Sequence, residues 1–521
     1  MLLRSSWTRV ACPSALLRPS IHIRHEREPS LRWVIDTSVS SDLSPELSPV
    51  RPEERHVGVA AYTLMILSMA ITTSIFFLGW ISQVLGLSLV QTIVAALIGN
   101  GVVAAIMYLN GYVGVKYGVP FPVQLRTSFG TKGSLLPLVV RMIVSLFWYG
   151  IDGFIASWAM TEMILVAAGW PSSRIISEGL AYTPITFVAY LAIVAAIGAG
   201  KIKTIKVLDV VAGPLLFIFF GWFVFYMMGL PELAGKAIPV WTGQAAWFGS
   251  DFFWATAIQT AWWGTIALNV SDICRYNKST VSLPVGHIVG LVIPQIVGSA
   301  IGFTATCLAG GNLSPIDIIA QYSPSAALGF LGLLFAFLAT STTNLTGDIP
   351  ATTNGVIRIF KLSWTKGLII ATVIAFFVGP WWYVQNSISM AYQLLNFNWY
   401  YSLFLGPIAG VMVVDFWLVR KRKLDVEELY RKDGIYSFRG GVLWPGVLSF
   451  IIGVAGEYVM GYLQGGYQSG FYYAFGIPLP GVELAWYYGF IIAGLVYYLW
   501  SYADRKAFAL EPLEKAVVAP K

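Results

Sequence analysis

The sequence predicts an all-α polytopic membrane protein of about twelve transmembrane helices. Three observations predict it. Of 521 residues, 57% are hydrophobic and only 11% charged, where a soluble domain carries about 25% charged residues. From Val57 onward the chain divides into apolar segments, each near the roughly 20 residues that a helix needs to cross about 30 Å of hydrocarbon. Basic residues gather between alternate segments, as the positive-inside rule produces.

Residues 1–56 are polar and rich in Pro, Ser and Arg, with no apolar stretch able to cross a bilayer. A disordered tail is the expectation there. Its start holds Arg4, Arg9, Arg18 and Arg24 with no acid before Glu26, which is also a weak organelle-targeting pattern. The expected spans then fall at 58–84, 88–112, 135–168, 181–199, 205–229, 251–274, 285–309, 327–349, 367–385, 388–418, 443–463 and 484–502. No water reaches the hydrocarbon, so backbone groups must bond within each segment, and interruptions belong only where the chain faces protein or a cavity.

The loops orient the bundle. Lys116, Arg126 and Lys132 follow the second span, and Lys201, Lys203 and Lys206 the fourth. Arg275 and Lys278 follow the sixth, Arg358, Lys361 and Lys366 the eighth, and Arg420 to Lys423 the tenth. Loops on the other side carry little beyond Arg174 and Lys236. This alternation predicts an even number of spans with both termini cytoplasmic.

The same distribution disposes of other classes. The net charge of +7 lies in short clusters between apolar segments and not on one folded face, so it reports topology, and a nucleic-acid partner is not expected. Three cysteines (Cys12, Cys274, Cys307) and four histidines show no ligand spacing for a structural metal. No GxxxxGK[ST] loop occurs, which excludes an ATP-driven pump with its nucleotide domain on this chain. An enzyme would need a nucleophile, base or metal cluster at one depth, and the sparse His and Cys argue against it. No cofactor is expected.

Charges near the middle of a span are costly unless they face a cavity, which makes them functional candidates. Asp152 in the third span and Asp348 in the eighth are the two foremost. Asp209, Asp272 and Asp415 lie near span ends, where pairing with nearby Lys or Arg explains them. Glu162 and Glu457 are weaker candidates. In LFWYGIDGF, Trp148 and Asp152 stand four residues apart, so an indole and a carboxylate share one helix face. A flat ring could stack on the one and hydrogen-bond to the other. In ATSTTNLTGDIP, Thr342, Thr343 and Asn344 precede Asp348 by about a turn, and Asn344 joins the substrate-binding set; back-bonding or packing is the alternative reading of these residues. In TAWWGTIALNVSD, tandem tryptophans beside Gly264 near mid-depth suggest a bent helix lining a site, with core packing as the alternative. In SMAITTSIFF no Gly or Pro accompanies Thr72, Thr73 and Ser74, so local chemistry predicts no break.

Several of these segments together resemble a known family. GVKYGVPFPVQLRTSFGTKGSLLPL, SLFWYGIDGF, ALNVSDICRY, ATSTTN and GPIAGVMVVDFWLVRKRKL stand in the order found in nucleobase:cation symporter-1 permeases for cytosine, purines, uracil, thiamine, allantoin and hydantoin. The resemblance covers residues from about 50 to 440. It implies two inverted five-helix repeats, roughly 57–229 and 251–418, with interrupted first and sixth helices. A loop at 419–442, two additional helices within 443–502 and a cytoplasmic tail at 503–521 complete that organisation. It also implies a ring sandwiched by Trp148 and Trp263, with Thr72, Asp152 and Asp348 reading its edge. A sodium ion would be held by the carbonyls of Ser68, Ile71 and Ala339 and the hydroxyls of Thr342 and Thr343.

Where hydantoin-type members carry amides and a glutamine, this chain has Asp152, Asp348 and Thr72. An ionised carboxylate only accepts, so a donor-rich or cationic ring is favoured over a carbonyl-rich one. Alternatively, one Asp is protonated in its partly dry site and carries the coupled proton. The expected function is cation-coupled import of a nucleobase or related heteroaromatic compound, with thiamine, another vitamin, allantoin or hydantoin as the alternative cargo. The expected partners are that small solute, sodium or a proton, and the bilayer of the plasma membrane. The sequence does not specify an oligomeric state, and a monomer is compatible with it.

Overall fold

The computed structural model describes residues 43, 47–199, 203–360, 362–382, 384, 386–463 and 484–510. The tail before residue 43, the tail beyond 510, Lys201, Lys361 and the side chain of Asp209 lie outside the described residues. Within them the chain is helical, with two isolated bridges and no strand. The first expected span forms α1 (Val59–Ala70) and α2 (Ser74–Val84). Then come α3 (Leu89–Tyr117), α4 (Leu135–Ala167), α5 (Ser172–Ala199), α6 (Lys203–Met228), α7 (Ser250–Asn269) and α8 (Ser282–Leu308). A short α9 (Pro315–Tyr322) precedes α10 (Ala326–Thr343), which passes through a π-turn at Asn344–Asp348 into α11 (Ile349–Phe360). The remainder is α12 (Trp364–Val378), α13 (Ser387–Val414), α14 (Trp444–Leu463) and α15 (Ala485–Ala503).

Among the described residues, seven helices are long and apolar enough to cross a membrane, and α1 with α2 makes an eighth. α6, α7, α14 and α15 coincide with the remaining expected segments. The bundle closes through small residues, as membrane helices do without a hydrophobic drive between them. A Cβ at Gly302 of α8 would lie 2.2 Å from the Phe76 carbonyl oxygen, and one at Gly79 of α2 would lie 2.0 Å from that of Ser299. α4 packs along α10, and α3 along α7.

The break that local chemistry did not predict is present. α1 and α2 meet at 52°, and Ile71 is extended at φ −89°, ψ 91°. The amide of Ser74 donates to Thr72 Oγ1 (3.3 Å), a local cap for the new helix start. Thr73 donates to the Ala336 carbonyl (3.0 Å) and accepts from Thr340 (2.9 Å). Partners on α10 thus satisfy the Thr73 hydroxyl, and Gln295 of α8 donates to the Ala70 carbonyl (3.2 Å) at the end of α1; such pairing is the condition for irregular chain at membrane depth.

The sixth span corrects an expectation. α7 runs without a break through Trp262, Trp263 and Gly264, and Val270, between it and the short helix Ser271–Cys274, keeps helical dihedrals at φ −55°, ψ −26°. Gly264 serves close packing instead of bending: a Cβ there would stand 3.0 Å from Trp486 Nε1 of α15.

The boundary of the tail is also corrected, because residues 47–57 are held at the end of the bundle. Val50 N donates to Gly118 O (3.0 Å), Arg55 reaches Val115 O and Lys116 O, and Lys278 N donates to Val57 O (2.9 Å). Gly118 ends α3 at φ +68°, and a side chain there would collide with Val50 O. Only glycine adopts that turn at no cost. Tyr430 and Arg275 donate to the carbonyls of Leu47 (2.7 Å) and Ser48 (3.2 Å). The basic loops after α3, α7 and α13 therefore meet at one end.

Candidate functional site

A cavity of about 800 Å³ begins beside the break between α1 and α2 and runs to the basic-loop end. Thr72, Trp148, Asp152, Trp262, Trp263 and Asp348 line its inner part, and Phe121, Asp272 and Arg275 its mouth. Five of the six residues assigned to substrate binding are thereby brought together.

Trp148 and Asp152 come from one face of α4, as their spacing requires. Trp262 packs against Trp148 edge to face, with centroids 4.7 Å apart and planes at 65°. Phe397 and Tyr401 of α13 support Trp148 from 5.5 and 6.2 Å. Tyr401 is fixed by donating to the Ala261 carbonyl (2.7 Å) and to Asn398. Trp262, which sequence reasoning passed over for its neighbour, thus orients the indole, while Trp263 lines the cavity beside it.

Asp152 accepts from Ser74 Oγ (3.2 Å), and Thr72 Oγ1 donates to the same Ser74 hydroxyl (3.3 Å). This relay ties the first residue of α2 to the centre of α4. Asp348 closes the π-turn and has no hydrogen bond among the described residues; its charged neighbours are Arg141 and Asp152. A π-turn re-aims the residues beyond it, which is why such turns recur at functional sites.

Asn344 departs from its assignment. It is fully buried and absent from the cavity lining, and its amide donates to the Tyr149 carbonyl and the Tyr190 hydroxyl, both at 3.2 Å. It joins α10 to α4 and α5.

The residues assigned to a cation gather only in part. Ala339 O accepts from Thr342 (3.0 Å) and Thr343 (3.2 Å), and Thr343 also reaches Met69 O at 3.5 Å. The Met69 carbonyl, next in the chain to the assigned Ser68, is one that α10 meets. The Ile71 carbonyl instead faces Gly213 of α6, where a Cβ would stand 2.9 Å away. Two carbonyls and two hydroxyls form a neutral all-oxygen set suited to a hard monovalent cation. Among the described residues no group of three His, Cys, Asp or Glu could hold a metal.

Of the remaining acids, Glu162 accepts from Trp158 (2.8 Å) and Glu457 is buried between α14 and α15, both away from the cavity. Asp272 caps the helix Phe121–Gln124 through Phe121 N (2.8 Å). Asp415 pairs with Arg420 at 3.0 Å, fully buried. Arg141 is the residue sequence reasoning missed. It lines the cavity at 4% exposure and donates to Thr265 O (3.1 Å) and Asn269 Oδ1 (3.3 Å). A cation six residues inside an apolar span was the available signal.

A bundle of apolar helices, interrupted at the point where a cavity lined by tryptophans and carboxylates begins, has the architecture of a membrane transporter. The chain belongs to the family of permeases for cytosine/purines, uracil, thiamine and allantoin, whose model matches residues 49–491. It is 26% identical to the purine-uracil permease NCS1 of Arabidopsis thaliana, over 89% of this chain and 78% of that protein. It is 26% identical to the allantoin permease of Bacillus subtilis, over 83% and 88%. The inward-facing conformation of Mhp1 superposes with a TM-score of 0.75 at 22% identity, over 92% of this chain and 98% of that one, so the two share a fold.

Proposed function

We propose that the chain is a secondary active symporter that imports a nucleobase or related heteroaromatic compound with one cation, by alternating access. The observation that carries this reading is the meeting of Trp148, Trp262 and Trp263 with Asp152 and Asp348 in one cavity at the helix break. Indole faces fix the plane of a ring, and the carboxylates accept its N–H groups. The lining carries three carboxylates (Asp152, Asp272, Asp348) against two guanidiniums (Arg141, Arg275), one negative charge in excess when all are ionised. One co-transported cation balances it. Sodium would lie among Met69 O, Ala339 O, Thr342 and Thr343, and a proton on Asp152 or Asp348. The basic loops support cytoplasmic termini, and the plasma membrane is the location proposed with them.

The test is uptake of radiolabelled cytosine into cells lacking their own nucleobase permeases, with and without sodium, competed by adenine, uracil, allantoin and thiamine. Saturable, sodium-stimulated uptake supports the symporter with Thr342 and Thr343 as ligands; uptake that follows pH alone moves coupling to the acids. If no base is taken up but thiamine or allantoin is, the second reading holds, a vitamin or ureide permease. The paired acids, which suit a cationic ring, and the allantoin permease among the relatives favour it.

A further inference from the structure

Arg141 is a buried charge that the tryptophan site leaves unexplained. Arg141, Ser145, Trp148 and Asp152 fall at i, i+4, i+7 and i+11 and share one face of α4. At about 1.5 Å rise per residue, Arg141 stands roughly 10 Å along the axis from Trp148, toward the basic-loop end. Its Nε donates to Thr265 O (3.1 Å) and Asn269 Oδ1 (3.3 Å), one terminal nitrogen to Asn269 Oδ1 (3.3 Å) and the other to Ser145. These bonds use three of the five N–H donors of a guanidinium. The other two have no acceptor among the described residues, and the group lines the cavity. Asp348 and Asp272 balance its charge from across that space.

The cavity therefore has two polar compartments of opposite character. Beside the tryptophans, Asp152 and Asp348 accept; nearer the mouth, Arg141 donates a planar fork whose orientation Thr265 and Asn269 set. A volume of about 800 Å³ lies high in the roughly 300–1,000 Å³ range of small-molecule sites, leaving room for a ring in either place. A carbonyl oxygen, with two lone pairs, is the natural acceptor for the paired N–H groups.

We propose that Arg141, held by Asn269 and Thr265, forms an inner subsite that takes the carbonyl edge of the substrate on its passage between the tryptophans and the basic-loop end. The inference rests on the transport reading above and narrows its cargo to rings or ureides that carry a carbonyl beside an N–H. Such a molecule meets acceptors in one compartment and donors in the other. The subsite also supplies the donor whose lack made carbonyl-bearing rings seem unsuited to a pair of carboxylates.

The experiment measures inhibition constants of uracil, hypoxanthine and adenine against a labelled base taken up by the native protein, then by Arg141→Lys, Arg141→Gln and Asn269→Ser. Adenine has no carbonyl and is the reference. Arg141→Lys and Arg141→Gln are expected to weaken uracil and hypoxanthine relative to adenine by about tenfold or more, the weight of a hydrogen bond to a charged group. Asn269→Ser, which loosens the fork but keeps it, gives a smaller change in the same ratio. If Arg141 only tethers α4 to α7, all three competitors change by one common factor, and that result overturns the inference while leaving the transport reading intact. An unchanged ratio overturns it too. Should Arg141→Gln fail to reach the membrane, Arg141→Lys keeps the charge and decides alone. Absence of saturable uptake of every labelled base, of thiamine and of allantoin in the native protein sinks the transport reading, and this inference with it.

Discussion

Trp148 and Asp348 carry the predictions that belong to single side chains. Stacking of a base on an aromatic ring contributes about 1–3 kcal/mol, so Trp148→Ala should raise the KM for uptake roughly tenfold or more, with Trp148→Phe in between. An equal loss in both variants would deny the ring its stacking role. Asp348 faces Arg141 and Asp152 of α4 and Tyr401 of α13. If the coupled ion is a proton held on Asp348, Asp348→Asn should preserve uptake and remove its dependence on external pH, because the amide cannot exchange that proton. If that dependence survives unchanged, Asp348 does not carry the proton. At this scale the sequence was partly readable. The interval between Trp148 and Asp152 needs only helix geometry. The serine that hydrogen-bonds Asp152 lies 78 residues away, and no local rule joins it to that carboxylate.

Among the elements, the crossing of α2 with α8 tests how the site is held. Gly302 lies against the backbone of Phe76, so Gly302→Leu should force α2 away and strip the transporter from the cell surface. Gly101→Leu on α3, where a Cβ meets nothing within 4 Å, is the control and should reach the surface normally. Surface fluorescence of tagged variants reads the difference; equal levels would show that the crossing tolerates a side chain. The break between α1 and α2 shows why element boundaries were only partly legible. SMAITTSIFF has no breaker of its own, and the groups that hold the Thr73 hydroxyl at the break, the Ala336 carbonyl and the Thr340 hydroxyl, come from α10, some 260 residues on. Conversely, Gly264 looked like a hinge in the sequence, yet Trp486 of α15 fills the space beside it.

For the molecule as a whole, the basic-loop end is fastened by a buried network. Arg420 bonds Asp415 (3.0 Å) and Thr127 O (2.7 Å), while Tyr497 of α15 donates to Asp415 (2.7 Å). Removing one partner of a buried pair leaves an uncompensated charge and costs about 3–5 kcal/mol. Arg420→Met should therefore lower the Tm of the detergent-solubilised protein markedly, and Arg420→Met with Asp415→Asn should recover much of the loss. If the double variant is no better than the single, the charge pair is not what fastens this end. The network links α13, α15 and the loop before α4, so its loss should affect stability more than the KM for substrate.

The sequence by itself determined the class, the order of the apolar segments, the end at which the basic loops gather and the family, through long motifs in their proper order. Composition and segment length suffice for these, because the cost of burying charge or bare backbone in hydrocarbon applies residue by residue. Only the tertiary structure decided where the first span is interrupted and that the sixth runs unbroken past its tryptophans, that Asn344 faces α4 and α5 while Asp348 faces the cavity, and that Arg141 joins the site. The physical reason is that lipid and neighbouring helices are both apolar, so most positions of a membrane helix look alike wherever they face. Periodicity shows which residues share a face, but packing against other helices selects the face that meets the cavity.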